Sequence, residues 1–250
     1  MEKFKLNQYL RTVRLCREDI DSFDIYPFSL EAVKNLNTLD FHPKVTFIVG
    51  ENGTGKSTIL EAIATACGFN PEGGTKNFTF STMNTHSELY KYLKLVKGVK
   101  RPEDGFFLRA ESFYNVATNI EELDREGGGP KIIDSYGGVS LHEQSHGEAF
   151  LSLLINKFRG NGLYILDEPE AALSPSRQMT MLARIHELVQ QGSQFIIATH
   201  SPIIMAYPDS LIYELKGQFR KVSYKDTEHF QVMKQFVNNT EKMLDIIMNP

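Results

Sequence analysis

One eight-residue stretch constrains this chain more than any other: Gly50-Glu51-Asn52-Gly53-Thr54-Gly55-Lys56-Ser57. It fits G-x-x-x-x-G-K-[ST] at every fixed position. The run before it, Lys44-Val-Thr-Phe-Ile-Val-Gly50, is apolar and β-branched, and reads as a strand ended by glycine. After it, Ser57 to Cys67 sets Ile59, Leu60, Ile63, Ala66 and Cys67 at helical spacing, with Gly68 as a stop. Glycines let such a loop wrap closely and turn its backbone N–H groups inward. The helix start behind it adds unpaired N–H groups and a dipole that favour an anion. Residues 50–58, through Thr58, therefore read as a phosphate cradle, with Lys56 reaching the β/γ-phosphates and the Ser57 hydroxyl on Mg²⁺. Such a pattern arises by accident in roughly one chain of this length in a hundred, and the strand before and helix after make accident a poorer explanation still.

A second apolar run, Leu163-Tyr-Ile-Leu-Asp167-Glu168, ends in two carboxylates. Ligands of parallel sheets bind beyond the carboxyl ends of the strands, so both acids are expected beside the phosphate loop. Asp167 suits Mg²⁺, directly or through water. Glu168, one residue on, points elsewhere and suits the orientation and deprotonation of an attacking water. Taken alone, apolar-Asp-Glu is equally well a strand end with solvated acids. His200 follows the next apolar strand, Phe195 to Ala198, 32 residues after Glu168. A lone histidine is more often structural than functional. At this strand end, a neutral imidazole is placed to hydrogen-bond a γ-phosphate or the water.

The remaining sequence reads as an α/β chain. Leu10 to Cys16 and Leu39 to Phe41 are short strand fragments. Residues 68–86, with Asn70-Pro71-Glu72-Gly73-Gly74, read as a surface insertion. Ser87 to Val96 reads as a helix, and Phe106 to Ala110 as a strand. Gly127-Gly128-Gly129-Pro130 and Gly137-Gly138 are breaks. Gly147 to Phe158 reads as a helix, as does Pro175 to Gln191, N-capped by Ser174 and stopped at Gly192. Leu211 to Leu215 and Arg220 to Tyr224 form a hairpin in this reading, and a polar helical segment follows. Lys91, Lys94, Lys97 and Lys100 recur every three residues beside Tyr90 and Tyr92. On a helix they make a broad basic face able to grip a phosphate backbone or an acidic partner, although a solvated face is the commoner reason for such a run.

Composition narrows the classes. The chain has 250 residues, 41% hydrophobic and 23% charged, which excludes a wholly disordered chain. A net charge of −4 argues against a surface coated in basic groups for nucleic acid. Two cysteines, Cys16 and Cys67, are too few for a disulfide framework or a zinc cage, and Cys67 reads as buried packing. The longest apolar run free of charge, Phe195 to Pro208, has 14 residues and is interrupted by polar ones, whereas a spanning helix needs about 20. With no signal-like N-terminus, the expectation is a soluble, cytoplasmic protein with no transmembrane segment of its own.

The motif order resembles the ATP-binding-cassette (ABC) ATPases. One further segment supports this: Gln144-Ser145-His146-Gly147-Glu148 lies where that family carries its L-S-G-G-Q signature, with Ser145 22 residues before Asp167. Ser145 and Glu148 also form an S-x-x-E capping pattern; alone that is a fair description of an ordinary capped helix, but beside the other motifs the helix start reads as a further anion site. Within the superfamily the chain resembles standalone "predicted ATPases", often labelled AAA family ATPases, akin to structural-maintenance-of-chromosomes, RecF and overcoming-lysogenisation-defect ATPase heads. The stretches 106–113, 142–147 and 166–174 carry that likeness. Between Glu111 and Ser145 lie too few residues for the coiled coil of chromosome-type heads.

The resemblance implies a P-loop NTPase fold of the ABC type: a mainly parallel core sheet flanked by helices, an N-terminal antiparallel β region and a small helical subdomain. The division expected is a single domain, with a β region at 1–43, the phosphate-loop unit at 44–68, an insertion, Q-loop-like segment and linker at 69–145, and the signature helix onward at 146–250. It implies ATP and Mg²⁺, with Glu168, His200 and Lys56 catalytic, and Ser57, Asp167 and Glu111 around the metal. Two chains would sandwich two ATP molecules, Ser145 and Gly147 of each touching the partner's nucleotide. The chain departs from the pattern at His146 and Glu148, which replace Gly and Gln, at Glu111, Glu for the Q-loop Gln, and at Ser174, where the D-loop usually ends in Asp. No adenine-stacking aromatic stands out; Tyr26 and Phe28 are candidates by distance along the chain. Three roles follow: a mechanoenzyme in DNA maintenance or phage defence, with DNA or a second protein as partner; the nucleotide-binding subunit of a membrane transporter; or a nucleotide-gated binding module with little turnover.

Overall fold

The structure, a computed structural model, describes residues 8–76, 87–110, 113–126, 131–140, 142 and 145–249. Its strands in chain order are β1 (Leu10–Leu15), β2 (Thr38–Asp40), β3 (Val45–Val49), β4 (Leu93–Lys97), β5 (Asp104–Arg109), β6 (Gly162–Asp167), β7 (Gln194–Ala198), β8 (Leu211–Leu215) and β9 (Phe219–Val222). The helices are α1 (Glu31–Lys34), α2 (Lys56–Ala66), α3 (Phe113–Glu126), α4 (His146–Ser152), α5 (Pro175–Gln190), α6 (Glu228–Asn238) and α7 (Thr240–Met248).

Strand pairing follows from the apolar pattern. β3, β6 and β7 are buried at every position, as strands covered on both faces must be. Alternation then sorts their side chains. Val45, Phe47 and Val49 join Tyr164, Leu166, Phe195 and Ile197 on one face, against α3, α4 and α5. Ile48, Leu163, Ile165, Ile196 and Ala198 face the other way, onto α2 and the N-terminal strands. The six-stranded sheet has the order β5-β6-β7-β3-β8-β9; the first five strands run parallel and β9 returns antiparallel across the 211–222 hairpin. A separate antiparallel sheet, β2-β1-β4, forms the N-terminal β region.

Gln194 fastens these two sheets together. Its side chain is fully buried. Its Oε1 accepts from the Tyr9 and Leu10 N–H groups at 3.0 and 2.9 Å, and its Nε2 donates to the Leu10 and His42 carbonyls at 2.8 and 3.0 Å.

Three expectations need correction. Residues 87–96 are not a helix. Ser87 caps a short 3-10 turn, Glu88–Tyr92, and Leu93–Lys97 is a strand paired with β1. The three-residue lysine spacing mimics a helix, but Leu93 and Leu95 alternate with Lys94 and Val96, and pairing with β1 decides the outcome. Lys94 and Lys97 therefore point to opposite faces of a strand, and no basic helix face exists. Nor is the stretch around Asn70 a surface insertion: Phe69, Asn70 and Glu72 are buried, and Gly74 bridges Phe107 through N–H···O bonds of 2.7 and 3.0 Å. The rest of that insertion, 77–86, and the Gly127–Pro130 linker lie outside the described residues. Finally, the helix from 147 to 158 is not uniform. α4 passes into a π-helical turn, Leu153–Lys157, whose displaced carbonyls at Leu154 and Ile155, with that of Phe158, accept from the Arg184 guanidinium at 3.0–3.3 Å. Cys67 is buried as expected, which pushes its thiol pKa up to about 11.

Replacing Gln194 by Leu keeps the volume and strands the Tyr9 and Leu10 N–H groups and the His42 carbonyl without a partner, while the Leu10 carbonyl keeps the Gln8 Nε2 donor at 3.2 Å. The variant is expected to lose about 2–4 kcal/mol of unfolding free energy, read by denaturant melts against wild type.

Candidate active site

Because β3, β6 and β7 are parallel, the chain leaves all three at one edge, and β7 lies between the other two. The loop after β3, the acids after β6 and the histidine after β7 are thereby gathered. Gly50 opens the loop where β8 ends; a Cβ there would stand 2.6 Å from the Leu215 carbonyl oxygen. Gly55 closes it at φ +97°, a left-handed geometry that starts α2 directly on Lys56.

Lys56 is only 3% exposed. Its Nζ donates to the Gly50 and Glu51 carbonyls at 2.7 and 2.8 Å, leaving the third of its N–H donors for a phosphate oxygen. Burial pulls the ammonium pKa below its ordinary value, and Glu168, Asp167, Glu170 and Glu51 act against that fall. The Ser57 hydroxyl donates to Asp167 Oδ1 at 3.2 Å. Asp167 is itself buried. A hydroxyl and a carboxylate in contact beside a phosphate loop fit Mg²⁺, which takes one or two protein oxygens and completes its shell with water and phosphate.

Glu168 sits at φ 51°, ψ 51°, a left-handed conformation for a non-glycine residue. The geometry costs about 1–2 kcal/mol and is fixed by the Glu168 N–H to Ala198 carbonyl bond at 3.0 Å. It turns the Glu168 side chain away from Asp167 and onto His200, whose Nε2 lies 3.1 Å from Oε1. On the far side of the imidazole, His200 Nδ1 lies 3.2 Å from His229 Nε2. Glu170 Oε1 accepts from the backbone N–H groups of His200 and Ser201, the latter at 3.2 Å, and so anchors the turn after β7. Glu51, Asn52, Glu168, His200 and His229 line an open cleft of about 440 Å³.

Residues 50–58, Asp167, Glu168 and His200 thus come together as expected. Ser145 and Gly147 stand apart from them at the start of α4. The Glu148 carboxylate accepts from the Ser145 N–H at 3.1 Å and from its hydroxyl at 2.6 Å, and pairs with Arg177 at 3.1 Å. A Cβ on Gly147 would meet the Ala172 carbonyl at 2.5 Å, so this helix start packs on the segment that follows Glu168. Ser174 caps α5, its hydroxyl accepting from the Arg177 N–H at 3.4 Å. Glu111 lies outside the described residues. Of the two aromatic candidates, Phe28 is withdrawn: it is buried, edge-on to Tyr92. Tyr26 is exposed, with its hydroxyl oxygen 3.4 Å from Thr58 Oγ1. Sequence reasoning missed Glu170 and His229. The spacing Glu168-Pro169-Glu170 signals the first; nothing local signals the second.

Comparison with known proteins agrees with this geometry. Residues 20–157 match the family model of an AAA domain, and residues 139–205 match that of an AAA ATPase domain. The chain belongs to the AAA-domain family. It is 28% identical to the cytochrome c biogenesis ATP-binding export protein CcmA of Legionella pneumophila, over 66% of this chain and 84% of that one. It is 24% identical to the ABC transporter G family member STR2 of Medicago truncatula, over 81% of this chain but 31% of the plant protein, so it spans about a third of that relative's length. An SMC head domain from Thermotoga maritima aligns with 86% of this chain and 98% of its own at 18% identity and a TM-score of 0.43, a likeness too distant to argue from.

Replacing Tyr26 by Ala is expected to weaken ATP binding about five- to 150-fold, the loss of one base–aromatic stack, with the melting temperature unchanged. Titration with a fluorescent ATP analogue checks this; unaltered affinity would remove Tyr26 from the site.

Proposed function

We propose that this chain binds Mg²⁺-ATP at residues 50–58 and hydrolyses it. The observation that carries the reading is the convergence of Lys56, the Ser57–Asp167 pair and the Glu168–His200 pair on one sheet edge. Ser57 and Asp167 would hold Mg²⁺, which would supply charge neutralisation to the triphosphate. Lys56 contributes fixed positive charge there from a site shielded from water. Glu168 orients a water in line with the γ-phosphorus and takes its proton as the new P–O bond forms and the β,γ-bridging P–O bond breaks. ADP and phosphate are the products. His200 holds the Glu168 carboxylate in place. Most of the catalytic effect is positioning and electrostatics.

The ATP state is expected to be a homodimer. Ser145 is exposed at the head of α4, where its hydroxyl, turned from Glu148, would donate to a second copy's nucleotide. The acidic Glu148, in place of the signature glutamine, is tied to Arg177 rather than left facing a phosphate. A soluble, cytoplasmic protein is the setting this reading assumes; no helix among the described residues is long and apolar enough to cross a membrane. A DNA-directed role has one supporting observation. On the exposed face of the N-terminal sheet, Lys94 stands directly across from Arg14, whose guanidinium also pairs with Glu18 at 3.5 Å. Opposed like charges destabilise a sheet, and an anionic partner such as a phosphate backbone relieves them. The transporter role that the relatives' names bring to mind needs a coupling surface around Glu111.

Size-exclusion chromatography of wild type and Glu168→Gln, with and without Mg²⁺-ATP, tests the central reading. A stable dimer of the variant in Mg²⁺-ATP alone, with hydrolysis reduced at least about a hundredfold, is the expected outcome. Monomers throughout would end the dimer proposal, and undiminished turnover would end the role of Glu168. If DNA is the partner, Lys94→Glu with Arg14→Glu is expected to abolish salt-sensitive binding in a filter-retention assay while leaving basal ATPase activity intact.

A further inference from the structure

We infer that His229, at the start of α6 and outside every motif above, is a positioning residue that fixes which nitrogen of His200 carries the proton. The inference deepens the reading of Glu168 as the catalytic base and rests on it for its kinetic part only.

The argument is a count of donors and acceptors. An ionised Glu168 can only accept. His200 Nε2, 3.1 Å from Glu168 Oε1, must therefore carry its hydrogen. In a neutral His200 this leaves a lone pair on Nδ1, and the group facing it is His229 Nε2 at 3.2 Å. His229 Nε2 must then donate, and the bare position of His229 is Nδ1. That atom is buried with no hydrogen-bond partner among the described residues. A lone pair is tolerated there. An N–H would be stranded, and a buried unpaired donor carries its whole desolvation penalty. The alternative, in which His200 donates through both nitrogens, forces hydrogen onto His229 Nδ1 and creates that stranded donor. The chain of assignments closes in one way: His229 Nε2–H to His200 Nδ1, and His200 Nε2–H to Glu168. Burial and the neighbouring His200 also lower the His229 pKa, in keeping with a neutral ring.

His229 is built into place. Thr227 caps α6, its hydroxyl accepting from the Phe230 N–H at 3.4 Å. The Glu228 N–H donates to Glu214 Oε1 at 3.0 Å, and Glu214 is buried at the end of β8, next to the phosphate-loop strand. The Glu228 carboxylate pairs with Lys216 at 2.7 Å. His229 is thus fixed to the same sheet edge as Lys56. Beyond it, Val232, Met233 and Phe236 form the apolar part of a cavity of about 530 Å³, whose polar rim is Glu51, His200 and Glu228. A second imidazole at this position, where the polar C-terminal segment gave no sign of function, couples the setting of α6 to the orientation of the base.

Nitrogen-15 correlation spectra of the histidine rings in the full chain, joined with steady-state kinetics, test this. Wild-type His200 is expected to be protonated at Nε2 and bare at Nδ1. His229→Phe keeps a ring and removes the donor; His229→Gln supplies an amide N–H in its place. The Phe variant is expected to lose about 10–100-fold in kcat, the usual cost of an outer-shell partner, with Mg²⁺-ATP affinity held within about twofold and with His200 no longer in a single tautomer. The Gln variant is expected to regain most of the kcat and the single tautomer. Hydrogen on His200 Nδ1 in wild type, wild-type kcat in the Phe variant, or equal losses in both variants would overturn the inference. The wild-type spectrum needs neither turnover nor a stable variant. If the protein proves not to hydrolyse ATP, the proposed function falls while the tautomer assignment is still decided.

Discussion

The Lys56 ammonium is held out of water against two carbonyls of its own loop, within the field of four carboxylates. That arrangement needs a neighbour able to match a buried cation, and the acids at the end of β6 supply it across the width of one strand. The strand between them, β7, brings His200 against Glu168 while Asp167 still meets Ser57 of the loop. Strand order thus sets which group each acid faces. In the proposed function a nucleotide triphosphate would complete this charge pattern, bringing negative charge to the lysine and a metal to the acids.

The site's rigidity comes from the fold rather than from its own contacts. Two apolar layers clamp the sheet, and the edge groups inherit their positions from strands with no exposed residue. Of the described non-glycine residues at positive φ, Asn161, Glu168 and Asp209, Glu168 is the one whose side chain does not favour that geometry, and it lies at the site. The π turn behind α4 and the Arg184 guanidinium that satisfies it set the helix that carries Ser145 and Gly147. That helix is joined to the acid strand through Gly147 against Ala172.

Much of this was legible in the letters, for a physical reason. The phosphate loop, the acid pair and His200 each follow an apolar run, and a strand buried on both faces announces itself by unbroken apolarity. The 211–222 hairpin and the Ser174 cap were legible for the same local reasons. What was not legible depended on distant partners. Leu93–Lys97 carries a helical lysine rhythm and becomes a strand because β1 pairs with it. Phe28 and Tyr26 differ by a hydroxyl in sequence and by burial in the fold, which only tertiary packing decides. The buried turn at Asn70 looks like a surface loop until Gly74 is seen to bridge β5. His229 has no local signature at all; its meaning lies in a nitrogen of His200, 29 residues earlier.

The account stands on Lys56 as the centre of a nucleotide site, and calorimetric titration with Mg²⁺-ATP tests that most directly. Wild type is expected to release saturable heat at one nucleotide per chain. Lys56→Ala, confirmed as folded by its melting curve, is expected to release none that saturates. No heat from the wild-type chain, or the same isotherm from the variant, would contradict the account.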